Sequence, residues 1–408
     1  MYNKPGRFHY RIAQAASWLV SKGIYRNKVL RNEIKHQDGP FVVIANHQTA
    51  LDFVNLICAT SRPMSFVISR SFFTTLPIRG YLNKMGVIPK QQFQTTVKDM
   101  KQMKAVIDNG QPLVIYPAGL MCEDGLSTPI PAATYKFLKW LDVDVYVARS
   151  YGNYFVMPKW TSGVRPGRTY MDIFKLFDRE ELKNMDDEAI KARTDEVMLF
   201  DAYAEQEKNP VRYAGAKDLR GLENVLYQCP HCLAEHTVTV EGKDTLRCTA
   251  CGYEQRGDAY GFLHNEKGLG PAIRHVSRWS REIYNRLKEK VLQGEAGSMR
   301  LATSVRVIDE EKRKFVEIGR GEVSVGNGQL CIEGTLRGEQ TAVSVPMTNF
   351  ASLPFSPGKY FEIQQGEATY RCYPEDGRRV MKFVNLVKIH YELNTATRKR
   401  PKRTHAEA

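Results

Sequence analysis

The sequence has no long apolar run. Its 408 residues contain nothing near the roughly 20 consecutive apolar positions that cross a bilayer. The mean hydropathy of −0.42 agrees, arguing against an integral helical membrane protein. A secretory leader is also missing. The most apolar N-terminal segment, Ile12 to Ser21, is bounded by Arg11 and Lys22 and lacks a small-residue cleavage site. No internal repeat is present. A disulfide framework is absent too, since four of the eight cysteines form two Cys-x-x-Cys pairs and the other four are scattered. That usage fits a metal site in a reducing compartment, so a cytoplasmic chain is expected. Acidic residues are the scarcer charge: 59 Lys and Arg against 45 Asp and Glu leave +14. Such a surplus favours an anionic partner, whether lipid surface, nucleic acid or phosphorylated substrate.

The length exceeds one ordinary domain, and composition shifts divide the chain. Residues 1–38 carry eight basic side chains against Glu33 and Asp38. Within them Phe8, Ile12, Ala15, Ala16 and Leu19 recur at helical spacing with Trp18 beside them. This predicts a basic amphipathic helix, suited either to a lipid interface or to packing on the next domain. Over 39–177 short apolar runs alternate with helical segments. The runs are Phe41–Ala45, Ser65–Ile68, Val87-Ile88, Leu113–Tyr116 and Val143–Ala148; the helices are Thr95–Asn109 and Ala133–Leu141. Such alternation implies an α/β domain with a mostly parallel sheet, its functional groups beyond the carboxyl ends of the strands. Residues 178–226 read as a helical extension starting at Asp186-Asp187-Glu188. Residues 227–262 form a cysteine module and 263–297 a basic helical linker. Residues 298–395 alternate β-branched and aromatic positions with turn signals, then show helical spacing in Val380, Phe383, Val384 and Val387. That predicts a small β-barrel-like domain closed by a helix, of pleckstrin-homology or GRAM-like pattern. Residues 396–408 read as a disordered basic tail.

The cysteine module places Cys229 and Cys232 fifteen residues before Cys248 and Cys251. Each Cys-x-x-Cys turn offers two thiolates, and four complete the tetrahedron that zinc prefers. The intervening Thr237–Val240 and Thr245–Arg247 fit a hairpin, so a zinc ribbon is expected. With four protein ligands no coordination position stays open, and the zinc is structural. Cys58, Cys122, Cys331 and Cys372 read as small buried residues.

The second constellation is Asn46-His47-Gln48-Thr49-Ala50-Leu51-Asp52, where the buried run Phe41–Ala45 ends. A carboxylate five residues after a loop histidine can accept a hydrogen bond from Nδ1–H and leave Nε2 facing a cleft. A neutral imidazole held so, with a reference pKa near 6.5, accepts a proton from an alcohol.

The run Asn-His-x4-Asp after an apolar strand resembles the first sequence block of the lysophospholipid (lysophosphatidic acid) acyltransferases. Gly86–Lys90 is similar to their second block, Tyr116-Pro117-Ala118-Gly119 to their third (Phe-Pro-Glu-Gly-Thr-Arg), and Val143–Gly152 to their apolar fourth. The four stand in family order within roughly residues 1–175. The resemblance implies acyl transfer from acyl-CoA or acyl carrier protein to the hydroxyl of a lysophospholipid or related lipid. His47 would be the general base and Asp52 its orienter, with no covalent acyl-enzyme. Asn46, Arg79, Lys90, Pro117 and Gly119 would contact substrate, the two cations neutralising a phosphate. Ala118 and Met121 stand where the family has Glu and Arg, which puts lysophosphatidic acid itself in question as acceptor. An anionic membrane surface is the expected partner, at the inner face of the membrane, and the chain would be peripheral there. The competing readings are a catalytically silent lipid-binding scaffold and a zinc-ribbon nucleic-acid-binding protein. The latter leaves Asn46–Asp52 unexplained, so nucleic acid is not the expected partner.

Overall fold

The computed structural model describes residues 3–93 and 95–399. The chain divides into two units between Ser280 and Arg281, with Glu310–Lys314 grouped with the first.

The first unit opens with helix α1 (Arg7–Gly23) and strand β1 (Lys28–Asn32). Then follow β2 (Val42–Ala45), α2 (Asp52–Ile57), β3 (Ser65–Ser69), α3 (Arg70–Thr75), α4 (Arg79–Lys84), β4 (Ile88–Lys90) and α5 (Val97–Asp108). Next come β5 (Leu113–Ile115), α6 (Ala133–Leu141), β6 (Val145–Tyr151), α7 (Asn153–Val156) and β7 (Tyr170–Phe177). The sheet order is β1-β7-β6-β2-β5-β3-β4. Every pairing is parallel except β6 with β7. The expected mostly parallel α/β architecture is therefore present.

Alternation along the strands sets two cores. Val42 and Ile44 of β2, with Leu113, Ile115, Val145 and Val147, face Met103 and Val106 of α5 and Leu138 of α6. Val43 and Ala45, with Val114, Tyr146 and Ala148, face Tyr10 of α1 and Leu56 of α2. A strand buried on both faces has no polar side to alternate with, which is why Phe41–Ala45 reads as a continuous apolar run. Helix α5 begins with a capping box. Thr96 Oγ1 accepts from Asp99 N at 3.1 Å, and Asp99 Oδ2 accepts from Thr96 N at 3.0 Å. Helix α6 covers the span that its apolar spacing predicts.

The helical extension contains α8 (Arg179–Asn184), α9 (Asp187–Met198) and α10 (Ala202–Lys208). Asp186 caps α9 by accepting from Ala189 N. The cysteine module forms a four-stranded antiparallel sheet of β8 (Val238–Glu241), β9 (Thr245–Cys248), β10 (Glu254–Gly257) and β11 (Leu263–His264).

Helix α11 (Val276–Leu292) carries the division between the units within it. The division falls within the span 263–297 expected as a basic helical linker. In the second unit, Tyr284 OH donates to Glu392 Oε1 at 2.8 Å, and Lys288 Nζ lies 2.7 Å from Glu392 Oε2. The second unit holds β12 (Met299–Asp309), β13 (Lys314–Gly326), β14 (Gln329–Leu336), β15 (Glu339–Pro346), β16 (Phe355–Ser356), β17 (Tyr360–Gln365), β18 (Ala368–Pro374) and α12 (Val380–Lys399). Its sheet order is β15-β14-β13-β12-β18-β17-β16. Among the described residues β15 and β16 do not pair, so the hydrogen-bonded order is open and does not close a barrel. Phe383 of α12 stacks on Phe361 with ring centroids 4.4 Å apart.

Two further expectations change. Residues 28–32, assigned to the N-terminal helical region, supply an edge strand paired in parallel with β7. Helix α12 runs to Lys399, four residues into the span expected as a disordered tail; the remaining positions of that span lie outside the described residues.

Candidate active site and metal centre

Strands β2 and β6 lie side by side and in parallel, with Ala45 opposite Ala148, so the segments leaving their carboxyl ends meet. Asp52 opens α2 and turns back onto the loop that precedes it. Its Oδ2 accepts from His47 Nδ1 at 2.9 Å, Gln48 N at 2.6 Å and Thr49 N at 2.9 Å. Its Oδ1 accepts from Thr49 Oγ1 at 3.0 Å and Asn153 Nδ2 at 2.8 Å. The carboxylate is almost fully buried at 2% exposure, while the imidazole is 22% exposed. Five donors hold this buried carboxylate in one orientation. In the tautomer that donates from Nδ1 to it, the lone pair of His47 is on Nε2.

The pair is held from several sides. Tyr25 OH lies 3.0 Å from Thr49 Oγ1; burial, and then the nearby Asp52 charge, push this phenol well above its ordinary range. The Tyr116 ring lies 4.6 Å from the imidazole, centroid to centroid, and is kept neutral by burial and by Asp52. Gln48 donates from Nε2 to Ser150 O at 2.8 Å and accepts at Oε1 from Tyr154 N at 2.8 Å.

Asn46 Nδ2 donates to Ser150 O at 2.9 Å and its Oδ1 accepts from Ser150 N at 2.8 Å. Buried and with both ends of its amide engaged, it ties two strand ends together. Arg79 opens α4, half-buried, with Nη1 3.5 Å from Glu310 Oε2.

Lys90 ends β4. Its Nζ donates to Gln91 O at 3.1 Å, and burial lowers its pKa against the opposing pull of Asp99. Pro117 and Gly119 form the turn after β5. Gly119 has φ +68°, with its N–H donating to Tyr116 O at 3.0 Å, and its carbonyl accepts from Gln92 Nε2 at 2.7 Å. A Cβ on Gly119 would meet no atom within 4 Å, so the turn borders open space. The strand order places Lys90, the Gly119 turn and His47 along one sheet edge, at the carboxyl ends of β4, β5 and β2.

The sequence pattern did not single out Tyr25, Thr49, Tyr116 or Asn153. Thr49 lies inside the motif, and an Asx-type turn would have suggested it. Asn153 is 101 residues from its partner. The available signal was its place just after a strand parallel to β2.

The four cysteines of the module converge, all four sulfurs lying within 4.8 Å of one another. Cys229 Sγ is 3.8 Å from Cys251 Sγ, and Cys232 Sγ is 3.7 Å from Cys248 Sγ. A tetrahedron with metal–sulfur bonds of about 2.3 Å has edges of about 3.8 Å, so the donor set fits a tetrahedral thiophilic ion. Burial raises the Cys248 thiol, but the Thr237 hydroxyl and the N–H groups of Ala250 and Cys251 outweigh it and bring it down to about 6. Burial raises the Cys229 and Cys251 thiols. The group can hold a metal.

Residues 26–144 match the family model described as Acyltransferase. That span, under a third of the chain, is similar to the acyltransferase family. The match includes His47, Asp52, Lys90 and Gly119 and ends before Asn153. A curated relative, a 1-acyl-sn-glycerol-3-phosphate acyltransferase of Chlamydomonas reinhardtii, is 26% identical over 149 residues. That alignment covers 36% of this chain and spans 44% of the relative. The crystal structure of the 1-acyl-sn-glycerophosphate (LPA) acyltransferase PlsC from Thermotoga maritima superposes with a TM-score of 0.39 at 18% identity, covering 50% of this chain and 79% of that one. The Ran-binding domain of Nup2 from Ashbya gossypii covers 23% of this chain and 99% of its own, at 13% identity and a TM-score of 0.19. At these scores neither superposition bears on mechanism.

Proposed function

We propose that this protein is a peripheral membrane O-acyltransferase that moves a fatty acyl group from acyl-CoA or acyl carrier protein to the hydroxyl of a lysophospholipid or related lipid. One observation carries the reading. A buried five-donor carboxylate holds His47 at Nδ1, within the span similar to the acyltransferase family. His47 Nε2 takes the acceptor's hydroxyl proton as that oxygen bonds to the thioester carbonyl carbon. The tetrahedral adduct then expels the thiolate, which receives the proton from the imidazolium and leaves as free thiol; an ester remains. Asp52 stays ionised throughout and stabilises the transient imidazolium.

Lys90 and the open Gly119 turn receive the anionic head group of donor or acceptor. Ala118 and Met121 remove a carboxylate and a guanidinium from this side, favouring an acceptor other than lysophosphatidic acid, such as one with a larger head group. Helix α1 contributes the membrane face. Phe8, Ile12, Leu19 and Trp18 are exposed on it beside exposed Arg7, Arg11 and Lys22, a pattern suited to an anionic lipid surface at the cytoplasmic side. Among the described residues no helix is long and apolar enough to cross a membrane. The Cys229, Cys232, Cys248 and Cys251 site holds zinc in a structural role.

The test is transfer from a radiolabelled long-chain acyl-CoA, and separately from acyl carrier protein, into a panel of lysolipids. Wild type is compared with His47→Ala. We expect a single acceptor class to be labelled and the variant to lose at least 1,000-fold, the scale of losing an essential base. Absence of transfer to every acceptor, from folded protein that still pellets with anionic liposomes, would leave the scaffold reading in its place.

A further inference from the structure

We infer that Asn153 is the positioning residue of the proposed acyl transfer, fixing the Asp52 carboxylate and through it the tautomer and direction of His47. The inference rests on the acyltransferase reading and reaches beyond residues 26–144.

Asp52 Oδ2 is served entirely by its own loop, through His47, Gln48 N and Thr49 N. Of the two donors on Oδ1, Thr49 again belongs to that loop. Asn153 is therefore the one donor, among the described residues, that refers the carboxylate to a different part of the fold. The loop itself stays anchored through Gln48 and Tyr25; without Asn153 the carboxylate loses the one donor that sets its own rotation from outside that loop, and the imidazole bonded to it loses that reference.

The amide is oriented at a cost. Asn153 is fully buried, and its Oδ1 has no hydrogen-bond partner. An orphaned buried carbonyl is unfavourable. Turning the amide over would set its oxygen against an anionic oxygen, so the orientation follows from the charge on Asp52. A residue kept only for packing would be better as an apolar side chain of similar size.

The segment bearing Asn153 is anchored on both sides. Gly152, at φ +82°, makes the turn from β6 into α7, and a Cβ there would lie 2.3 Å from Tyr213 OH. On one side Tyr154 N is held by Gln48. On the other, Phe155 stacks on Tyr213 at 5.3 Å and meets Tyr203 edge-on at 5.0 Å, and Tyr203 in turn stacks on His275 at 5.5 Å. A short helix clamped by aromatic rings is a rigid mount, as required of a group that supports a catalytic pair at sub-ångström precision.

The experiment compares full-length wild type with Asn153→Leu and Asn153→Ala. Leucine nearly matches asparagine in size and removes both the donor and the orphaned oxygen; the thermal midpoint is expected to fall by a few degrees for the lost hydrogen bond to Asp52 while the fold is kept, which circular dichroism checks. With oleoyl-CoA and the acceptor found above, kcat is expected to fall between about 10- and 100-fold in both variants, with KM within about 2-fold. Nitrogen-15 NMR of the His47 ring, assigned with His47→Ala, is expected to show the Nδ1–H tautomer in wild type and a mixture in the variants. A folded Asn153→Leu with wild-type kcat and an unchanged His47 tautomer would overturn the inference. If no protein transfers acyl groups, the acyltransferase reading falls, while the NMR comparison still decides whether Asn153 positions His47.

Discussion

Replacing Asp52 by asparagine separates the charge of the carboxylate from its shape. The substituted side chain keeps one oxygen, which can still accept from His47 Nδ1, Gln48 N and Thr49 N. Its new amide group faces Thr49 Oγ1, which can turn to accept, and Asn153, whose unpartnered Oδ1 can rotate toward it. The fold is therefore expected to survive with a loss of about 1–3 kcal/mol, the size of one or two weakened hydrogen bonds to a charged group. Catalysis is expected to suffer more. Proton transfer to Nε2 creates an imidazolium next to the carboxylate, and two unit charges about 4 Å apart attract by about 4 kcal/mol at an effective dielectric of about 20. Removing that term slows the chemical step by about 1,000-fold. Denaturant unfolding gives the stability, and thiol release from acyl-CoA, followed spectrophotometrically with the lysolipid acceptor, gives kcat. Folded Asp52→Asn with kcat within 3-fold of wild type would refute the reasoning, because the carboxylate would then be a turn-forming group and nothing more.

Lys90 offers a pH test. Burial lowers its pKa, so the ammonium form is present at low pH and is lost, as pH rises, earlier than from an exposed lysine. KM for the anionic substrate is expected to climb on the alkaline side in wild type, to stay flat there in Lys90→Arg, and to be raised at every pH in Lys90→Gln. For the metal centre, elemental analysis of reduced protein is expected to find about one zinc per chain. Chelation or Cys232→Ser should lower the thermal midpoint of the first unit, since structural zinc contributes directly to folding. Zinc-free protein with an unchanged midpoint would remove the metal from the account.

Much of the site was legible because its chemistry is local. His47 and Asp52 are five residues apart, and a helix starting at Asp52 brings the carboxylate back onto the loop. Each Cys-x-x-Cys pair is likewise a single turn. Helix α6 and the Asp186 cap were readable because spacing and capping act within a few residues. Strand β1 was not readable. Its residues are exposed from Lys28 to Arg31, and an edge strand needs no apolar face to announce it. The tie of Asn46 to the backbone of Ser150 was not readable either, because the two stand 104 residues apart. The open order of the second sheet and the division within α11 depend on contacts between segments far apart in the chain.

The sequence by itself determined the α/β class, a histidine and a carboxylate spaced to meet in one loop, and four cysteines spaced for one ion. The tertiary structure decided which of those groups work together. Parallel pairing of β2 with β6 brought Asn153 to Asp52 across 101 residues, and sheet order set Lys90 and Gly119 on the same edge as His47. The reason is physical: a short loop fixes angles between near neighbours, whereas the burial and orientation of a charge depend on every segment packed around it.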